Sequence, residues 1–161
     1  MGAVTYPEPR VVEFLSEHFV PVKVETSPPG ATFKAVLGNH WFTWAPVFVY
    51  LAPRGRELRR TLGFYPPEGF LAELRFVLGM AELTHSRLPA ALEWFTGVAE
   101  LFPETPTAPE ALFWAGAVGY KQEKIPGLVR YWDELRRRYP QSEWATKADV
   151  VPPEMRVGLE S

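Results

Sequence analysis

Two stretches of the sequence decide the fold of its C-terminal half, Leu88-Pro-Ala-Ala-Leu-Glu-Trp-Phe95 and Ile125-Pro-Gly-Leu-Val-Arg-Tyr-Trp132. Each runs on to an aromatic residue and a proline, Phe102-Pro103 in the first and Tyr139-Pro140 in the second, and the two copies are 37 positions apart. The apolar positions match at this offset: Ala91, Leu92, Phe95, Val98 and Phe102 with Leu128, Val129, Trp132, Leu135 and Tyr139. A repeat of this length, made of paired helices, is typical of a helical solenoid.

A third helix is predicted between the two copies, over Ala108–Tyr120. It is rich in small residues, Ala111, Ala115, Gly116 and Gly119, which allow close approach of a neighbouring helix. No strand pattern follows residue 84, so this half of the chain is predicted to be all-α.

The N-terminal half is predicted to be mixed. Residues 9–19 have the spacing of an amphipathic helix, and Val20–Val24 alternates as a strand does, with Pro21 confining it to a sheet edge. Residues 46–51 and 57–62 predict two strands of a β-hairpin. An amphipathic stripe then predicts a helix over 67–83.

These segments resemble two known families. Residues 86–140 resemble tetratricopeptide-type repeats. The earlier segments resemble a thioredoxin-like domain: Phe19-Val-Pro-Val-Lys-Val24, Trp44-Ala-Pro-Val-Phe-Val-Tyr-Leu51, Arg54-Gly-Arg-Glu57 and Gly63-Phe-Tyr-Pro-Pro-Glu-Gly-Phe-Leu71. Thr5–Leu15 is also similar to the segment just after the Cys-x-x-Cys helix in fused thioredoxin–repeat proteins. The resemblance implies an α/β fold.

The implied α/β fold has a truncated thioredoxin-like sheet of about three strands, followed by an all-α tetratricopeptide-like region. The expected domains are a thioredoxin-like domain over 1–83, helical hairpins over 84–149 and a C-terminal tail over 150–161. The helix at 67–83 is expected to belong to both domains.

The chain departs from the thioredoxin-like pattern at the redox site. The family's first strand and its Cys-x-x-Cys turn would lie before residue 3, and the sequence has no cysteine. Disulfides, thiolate metal sites and cysteine nucleophiles carried by this chain are therefore excluded. The missing strand would leave a gap in the sheet, to which the flanking strands, a tail segment at 155–159 or a second chain could respond. We expect closure of the gap together with contacts in a homodimer.

The candidate binding surface surrounds Ala45-Pro46, where the resemblance implies a cis-proline. An aromatic cluster, His40-Trp-Phe-Thr-Trp44, immediately precedes it. The cluster could dock a peptide, but cover for the truncated sheet or for an interface with the repeats is the favoured interpretation. The candidate residues for a peptide or partner protein are His40, Trp41, Trp44, Ala45, Pro46, Phe64 and Tyr65.

Other classes of function are not expected. The net charge of −2 and the absence of interleaved aromatics argue against nucleic-acid binding, although Arg54, Arg56, Arg59 and Arg60 share one hairpin. His18, His40 and His85 lack metal-ligand spacing, and no nucleotide-binding motif, hydrolase motif or catalytic carboxylate pair is evident, so neither a metal nor a cofactor is expected. With no membrane-length apolar run and no secretion signal, a soluble cytoplasmic protein is expected.

Two further inferences concern source and function. The 17 prolines, one asparagine and absence of cysteine favour a thermophilic source, although codon bias gives a similar composition. The sequence favours a non-catalytic protein–protein interaction module. The alternative is a truncated thiol–disulfide oxidoreductase whose redox segment is lost or lies upstream.

Overall fold

Helices predominate in the part of the chain that the computed structural model describes, residues 1–24 and 46–150. This part contains six helices and one antiparallel sheet of two strands, which confirms a helix-rich α/β class. By its internal contacts the chain divides into unit 1, Met1–Phe70, and unit 2, Leu71–Ser161. The domain boundary at residues 83–84 stays a prediction.

Unit 1 begins with α1, Pro9–His18, as the amphipathic spacing predicts. Proline occupies the first turn, where its missing N–H costs nothing, and Val11 and Phe14 are the buried residues of the helix. His18 ends the helix, and its ring lies 4.5 Å from that of Phe14.

The predicted β-hairpin is confirmed, with β1 at Val47–Leu51 and β2 at Glu57–Leu62. The strands are antiparallel, and the register pairs Val47 with Leu62 and is irregular between Tyr50 and Leu51. Since side chains alternate along a strand, Phe48 and Tyr50 share one face, where Phe48 lies 5.2 Å from the ring of Phe70. Gly55, at φ 80°, makes the turn between the strands.

The strand predicted over Val20–Val24 is wrong. These residues form no strand, and the sheet of the described residues therefore has two strands instead of about three. The physical reason is that alternation is only a local signal, whereas a strand exists only when another strand pairs with it. Pro21 also removes one of the donors such a pairing would use.

Unit 2 is built from helices throughout its described part. Its helices are α2 at Pro67–Thr84, whose first turn belongs to unit 1, α3 at Leu88–Leu101, α4 at Thr107–Glu123, α5 at Ile125–Arg138 and α6 at Glu143–Lys147. The helices predicted over 67–83 and 108–120 and those of the two repeat copies are confirmed. The short α6 was not predicted.

The two copies of the repeat are most alike in the second helix of each helical hairpin, α3 in the first copy and α5 in the second. Both α3 and α5 have 14 residues and proline in the first turn. The residues that end them have nearly the same backbone angles, φ −132° and ψ 49° at Phe102 and φ −131° and ψ 54° at Tyr139. Three matched apolar pairs are buried in both copies: Ala91 and Leu128, Phe95 and Trp132, Val98 and Leu135.

The structure extends the same repeat to the first helices, α2 and α4. The ring of Phe95 in α3 lies against Gly79 of α2, where an added Cβ atom would come within 2.6 Å of the ring. The indole of Trp132 in α5 lies against Gly116 of α4 in the same way and still more closely. Both the glycines and the rings are 37 positions apart, so one contact is used twice. Each repeat therefore fits an aromatic ring into a gap that only glycine leaves.

Helix α6 corresponds to the start of the first helix of a third repeat. The hydroxyl of Thr105 donates to the Phe102 carbonyl before α4, and the hydroxyl of Ser142 donates to the Tyr139 carbonyl before α6, both at 2.8 Å. The buried Ala108 of α4 corresponds to the buried Ala145 of α6 at the same interval. The chain thus repeats its turn geometry before each first helix.

Candidate functional site

Four residues of the predicted binding surface, His40, Trp41, Trp44 and Ala45, lie outside the described residues. The geometry of the Ala45–Pro46 bond lies outside them as well. The other three predicted residues, Pro46, Phe64 and Tyr65, are described and belong to unit 1.

Pro46 and Phe64 lie at the open end of the hairpin. The backbone N–H of Gly63 donates to the Pro46 carbonyl at 2.9 Å, which extends the ladder by one bond. Gly63 has φ 94°, a conformation that glycine adopts without strain, and it turns the chain out of β2. Leu62 and Phe64, on either side of it, are 61% and 57% exposed. The hairpin end is thus an apolar surface.

Tyr65, in contrast, is partly buried in unit 1. Its ring lies 5.9 Å from that of Phe48 and 6.3 Å from that of Phe70. Its carbonyl accepts a hydrogen bond from the hydroxyl of the fully buried Thr5, and its N–H donates to the sulfur of Met1. Tyr65 therefore fixes the N-terminal turn through its backbone, and its role in binding a partner stays a prediction.

Unit 2 offers a second surface, which sequence reasoning missed. The buried residues of α4 include Ala111, Leu112, Ala115, Gly116, Val118 and Gly119. Between them runs a line of partly or fully exposed residues with helical spacing, here termed the α4 stripe: Glu110, Trp114, Ala117 and Lys121. The stripe could have been found by plotting the residues of this segment around a helix. It was missed because the small residues of the segment indicate helix packing instead of an exposed surface.

Cations accompany several aromatic side chains of unit 2. Lys124 lies 5.7 Å from the ring of Tyr120, and Lys147 lies 4.0 Å from that of Trp144. Such contacts contribute about 0.5–1 kcal/mol at exposed sites. The guanidinium of Arg75 on α2 lies 5.6 Å from the ring of Trp94, and burial lowers the pKa of Arg75. These aromatic side chains are therefore partly covered by cations.

A buried carboxylate links two helices of unit 2. Glu73 of α2 is 2% exposed and accepts a hydrogen bond of 2.6 Å from the hydroxyl of Thr107, which is also buried. A buried carboxylate without a donor would be costly, so this bond ties α2 to α4. The pairing gives Glu73 a structural role.

The second repeat holds the end of the first through two side chains. The hydroxyl of Tyr139 donates to the Pro103 carbonyl at 2.8 Å, and the guanidinium of Arg138 donates to the Ala99 carbonyl at 2.6 Å. Ala99 lies in the last turn of α3, where helix carbonyls have no partner within the helix, and Pro103 lies two residues beyond the end of α3. Burial raises the pKa of Tyr139 above 10.0, while the Arg138 cation opposes this with a smaller effect.

We expect Tyr139 to make the folded chain sensitive to alkali. Above pH 10 the unfolded tyrosine loses its proton while the folded one keeps it, so the unfolded state binds fewer protons and stability falls as pH rises. Tyr139→Phe should be about 1 kcal/mol less stable at pH 7, because the Pro103 carbonyl loses its donor. Urea unfolding from about pH 8 to pH 11 should give a shallower loss for the variant than for the wild type. Equal slopes would contradict the assignment.

Two other kinds of site find no support in the same part of the chain. Among residues 1–24 and 46–150 no group of three or more His, Asp or Glu side chains could hold a metal ion. None of the helices in these ranges combines the length and apolarity needed to cross a bilayer.

The chain has no match among protein-family models, curated proteins or solved structures.

Proposed function

We propose that this chain is a non-catalytic interaction module that binds another protein or a peptide through its helical repeats. The observation that carries the proposal is the pair of helical hairpins with one 37-residue period, the same terminal angles and the same ring-on-glycine contact. Stacked helical hairpins present extended surfaces of side chains and commonly serve as binding scaffolds.

The α4 stripe is the surface we assign to the partner. Trp114 is partly exposed at its centre, and tryptophan contributes more binding energy at interfaces than most residues do. Glu110 and Lys121 flank it one turn or two away, which gives an apolar centre with a polar rim. This arrangement fits an apolar residue of the partner seated against the indole.

For unit 1 we propose a thioredoxin-like domain without redox cysteines. Its support is the order of a hairpin and a following helix, together with the resemblance of the segments around Pro46 and Gly63. Because the sequence has no cysteine, such a domain could bind a partner but could not exchange electrons with it through a dithiol.

Photo-cross-linking tests the proposed surface even though the partner is unidentified. A photoreactive phenylalanine analogue at position 114 should give a discrete covalent adduct in cells that express the chain from its own gene. The same analogue at Arg137, which is exposed on α5, should not give that adduct. The protein captured at position 114 is then purified and titrated against this chain.

Two matched variants decide the outcome. Trp114→Ala should weaken binding of the captured protein at least tenfold, in line with the loss of about 2 kcal/mol at an interface hot spot. Trp94→Ala, the same change at another partly exposed tryptophan, should leave the affinity unchanged. Equal effects of the two variants, or no adduct specific to position 114, would overturn the assignment. Insulin reduction above background would contradict the non-catalytic proposal.

A further inference from the structure

The second helices of the two repeats carry opposite charge. Helix α3 contains two acidic residues and no basic one, which gives it a net charge of −2. Helix α5 contains four arginines against two acidic residues, which gives it a net charge of +2. The repeat matches Glu93 with Arg130 and Glu100 with Arg137, and all four residues are exposed. Equivalent positions of the two repeats therefore differ in the sign of their charge.

These charges lie on the outer face of each helical hairpin. The ring of Phe95 lies against α2, and at about 100° per residue the two acidic positions come on the opposite side of α3. The two arginines stand in the same relation to Trp132, whose indole lies against α4. Within each helix the two charges are about two turns apart and so share one face.

Helices α3 and α5 end side by side. The guanidinium of Arg138 donates to the Ala99 carbonyl at 2.6 Å, and the hydroxyl of Tyr139 donates to the Pro103 carbonyl at 2.8 Å. These bonds join the C-terminal end of α5 to that of α3, as expected for repeat-related helices that run in the same direction. An acidic row on α3 therefore lies next to a basic row on α5.

Most of these charges are not paired within the chain. Across residues 1–24 and 46–150, Glu93, Glu100 and Arg137 form no ion pair, while Arg130 pairs with Glu123 and is still 56% exposed. The two acidic residues of α5 are already paired with arginines of the same helix. The two rows are therefore accessible to a partner that carries the opposite charges.

We propose that this chain forms a twofold-symmetric dimer in which α3 of each copy packs against α5 of the other. A twofold axis that runs parallel to the two helices and between them exchanges α3 for α5 and keeps their direction and level. It therefore sets Glu93 against Arg130 of the other copy and Glu100 against Arg137 of the other copy, and each contact occurs twice.

Charge complementarity makes a second copy the occupant of this face. Another copy offers the opposite row with the same seven-residue spacing, because the two rows are related by the repeat itself. The net charge of only −2 also allows two copies to approach with little overall repulsion. The α4 stripe takes no part, so this proposal does not rest on the proposed function.

Charge reversal at one matched pair tests this arrangement. Glu100→Arg and Arg137→Glu are made as separate variants, since neither residue has an ion pair among the described residues whose loss would disturb the fold. Like charges then face each other at two contacts, so each variant alone should dimerise at least about tenfold more weakly than the wild type. Glu13→Arg, the same change of charge at an exposed position of α1, is the matched control and should dimerise as the wild type does.

A mixture of the two variants gives the decisive measurement. A heterodimer of Glu100→Arg with Arg137→Glu has opposite charges at both contacts, so the mixture should regain nearly the wild-type dissociation constant. A chain that carries both substitutions should regain it as well. Sedimentation equilibrium reports the dimer as twice the 18.3 kDa chain mass, and circular dichroism reports whether each variant keeps its helices.

Several results would overturn the proposal. They are a wild-type chain that stays monomeric at tens of micromolar, an assembly larger than a dimer, and a mixture that binds no more tightly than the separate variants. A dimer that does not weaken between about 0.05 M and about 0.5 M salt would also contradict a contact between exposed charges.

This test is independent of the test of the α4 stripe. Dimerisation is measured with the purified chain alone, and Trp114→Ala should leave it unchanged. A photoreactive residue at position 137 should join two copies of the chain, which is a different adduct from the one expected at position 114. Either proposal can therefore fail while the other stands.

Discussion

Gly127→Ala is expected to be among the most damaging single substitutions in unit 2. Helices α4 and α5 meet backbone to backbone at Gly119 and Gly127: a Cβ atom on Gly119 would lie 2.5 Å from the Gly127 carbonyl oxygen, and one on Gly127 would overlap the Gly119 carbonyl oxygen still more closely. The Gly119 carbonyl belongs to the helical backbone of α4 and cannot turn aside freely, so the two helices must move apart. Overpacking of this kind costs about 3 kcal/mol. We expect a fall in Tm of about 6–12 °C in thermal unfolding followed by circular dichroism.

Gly97→Ala is the matched control for this substitution. Gly97 lies inside α3, and a methyl group added there would have no neighbouring atom within 4 Å, so alanine meets no obstacle. Because glycine is a poor helix former, this variant should gain about 0.5–1 kcal/mol. Equal thermal stability of the two variants would contradict the close contact between α4 and α5.

Trp132→Ala should cause a loss of similar or greater size. The indole is 7% exposed, it stacks on Phe113 at 5.1 Å, and its N–H donates to the Phe113 carbonyl at 3.0 Å. It also fills the gap above Gly116. Replacing a buried tryptophan by alanine costs about 3–5 kcal/mol, because it removes buried area and leaves a cavity. Urea unfolding monitored by circular dichroism measures this loss.

The first repeat supplies the design of the control. Phe95 occupies the position that Trp132 occupies one repeat later, and it lies against Gly79 as the indole lies against Gly116. Trp132→Phe should therefore recover most of the stability, with a residual loss of about 1–2 kcal/mol from the missing hydrogen bond. If Trp132→Phe were as unstable as Trp132→Ala, the two repeats would not use equivalent contacts.

Much of unit 2 could be predicted from the sequence because its order is local and periodic. The interval between Pro89 and Pro126 indicated the two second helices, and the small residues of α4 indicated the close approach that Gly116 and Gly119 make. The same interval relates Gly79 to Gly116, so the extension of the repeat to α2 was present in the sequence as well. It is easily overlooked because a single glycine within a helix is usually taken only as a weak point.

The sheet and the binding surface were harder to predict. The alternation of Val20–Val24 indicated a strand that the structure does not form, because strand pairing depends on residues distant in sequence. The backbone hydrogen bonds that join Tyr65 to Met1 and Thr5 could not be predicted from the sequence. No local pattern reveals a contact across 60 residues.

The ring-on-glycine contact also governs how a chain of this kind can change in length. Because each ring finds its glycine within its own 37-residue period, copying one whole period in frame would reproduce the contact with no new interface to evolve. An insertion within the helices between glycine and ring would instead move the ring out of register with its glycine. Recombination in steps of 37 codons is therefore the change of length that best preserves this contact.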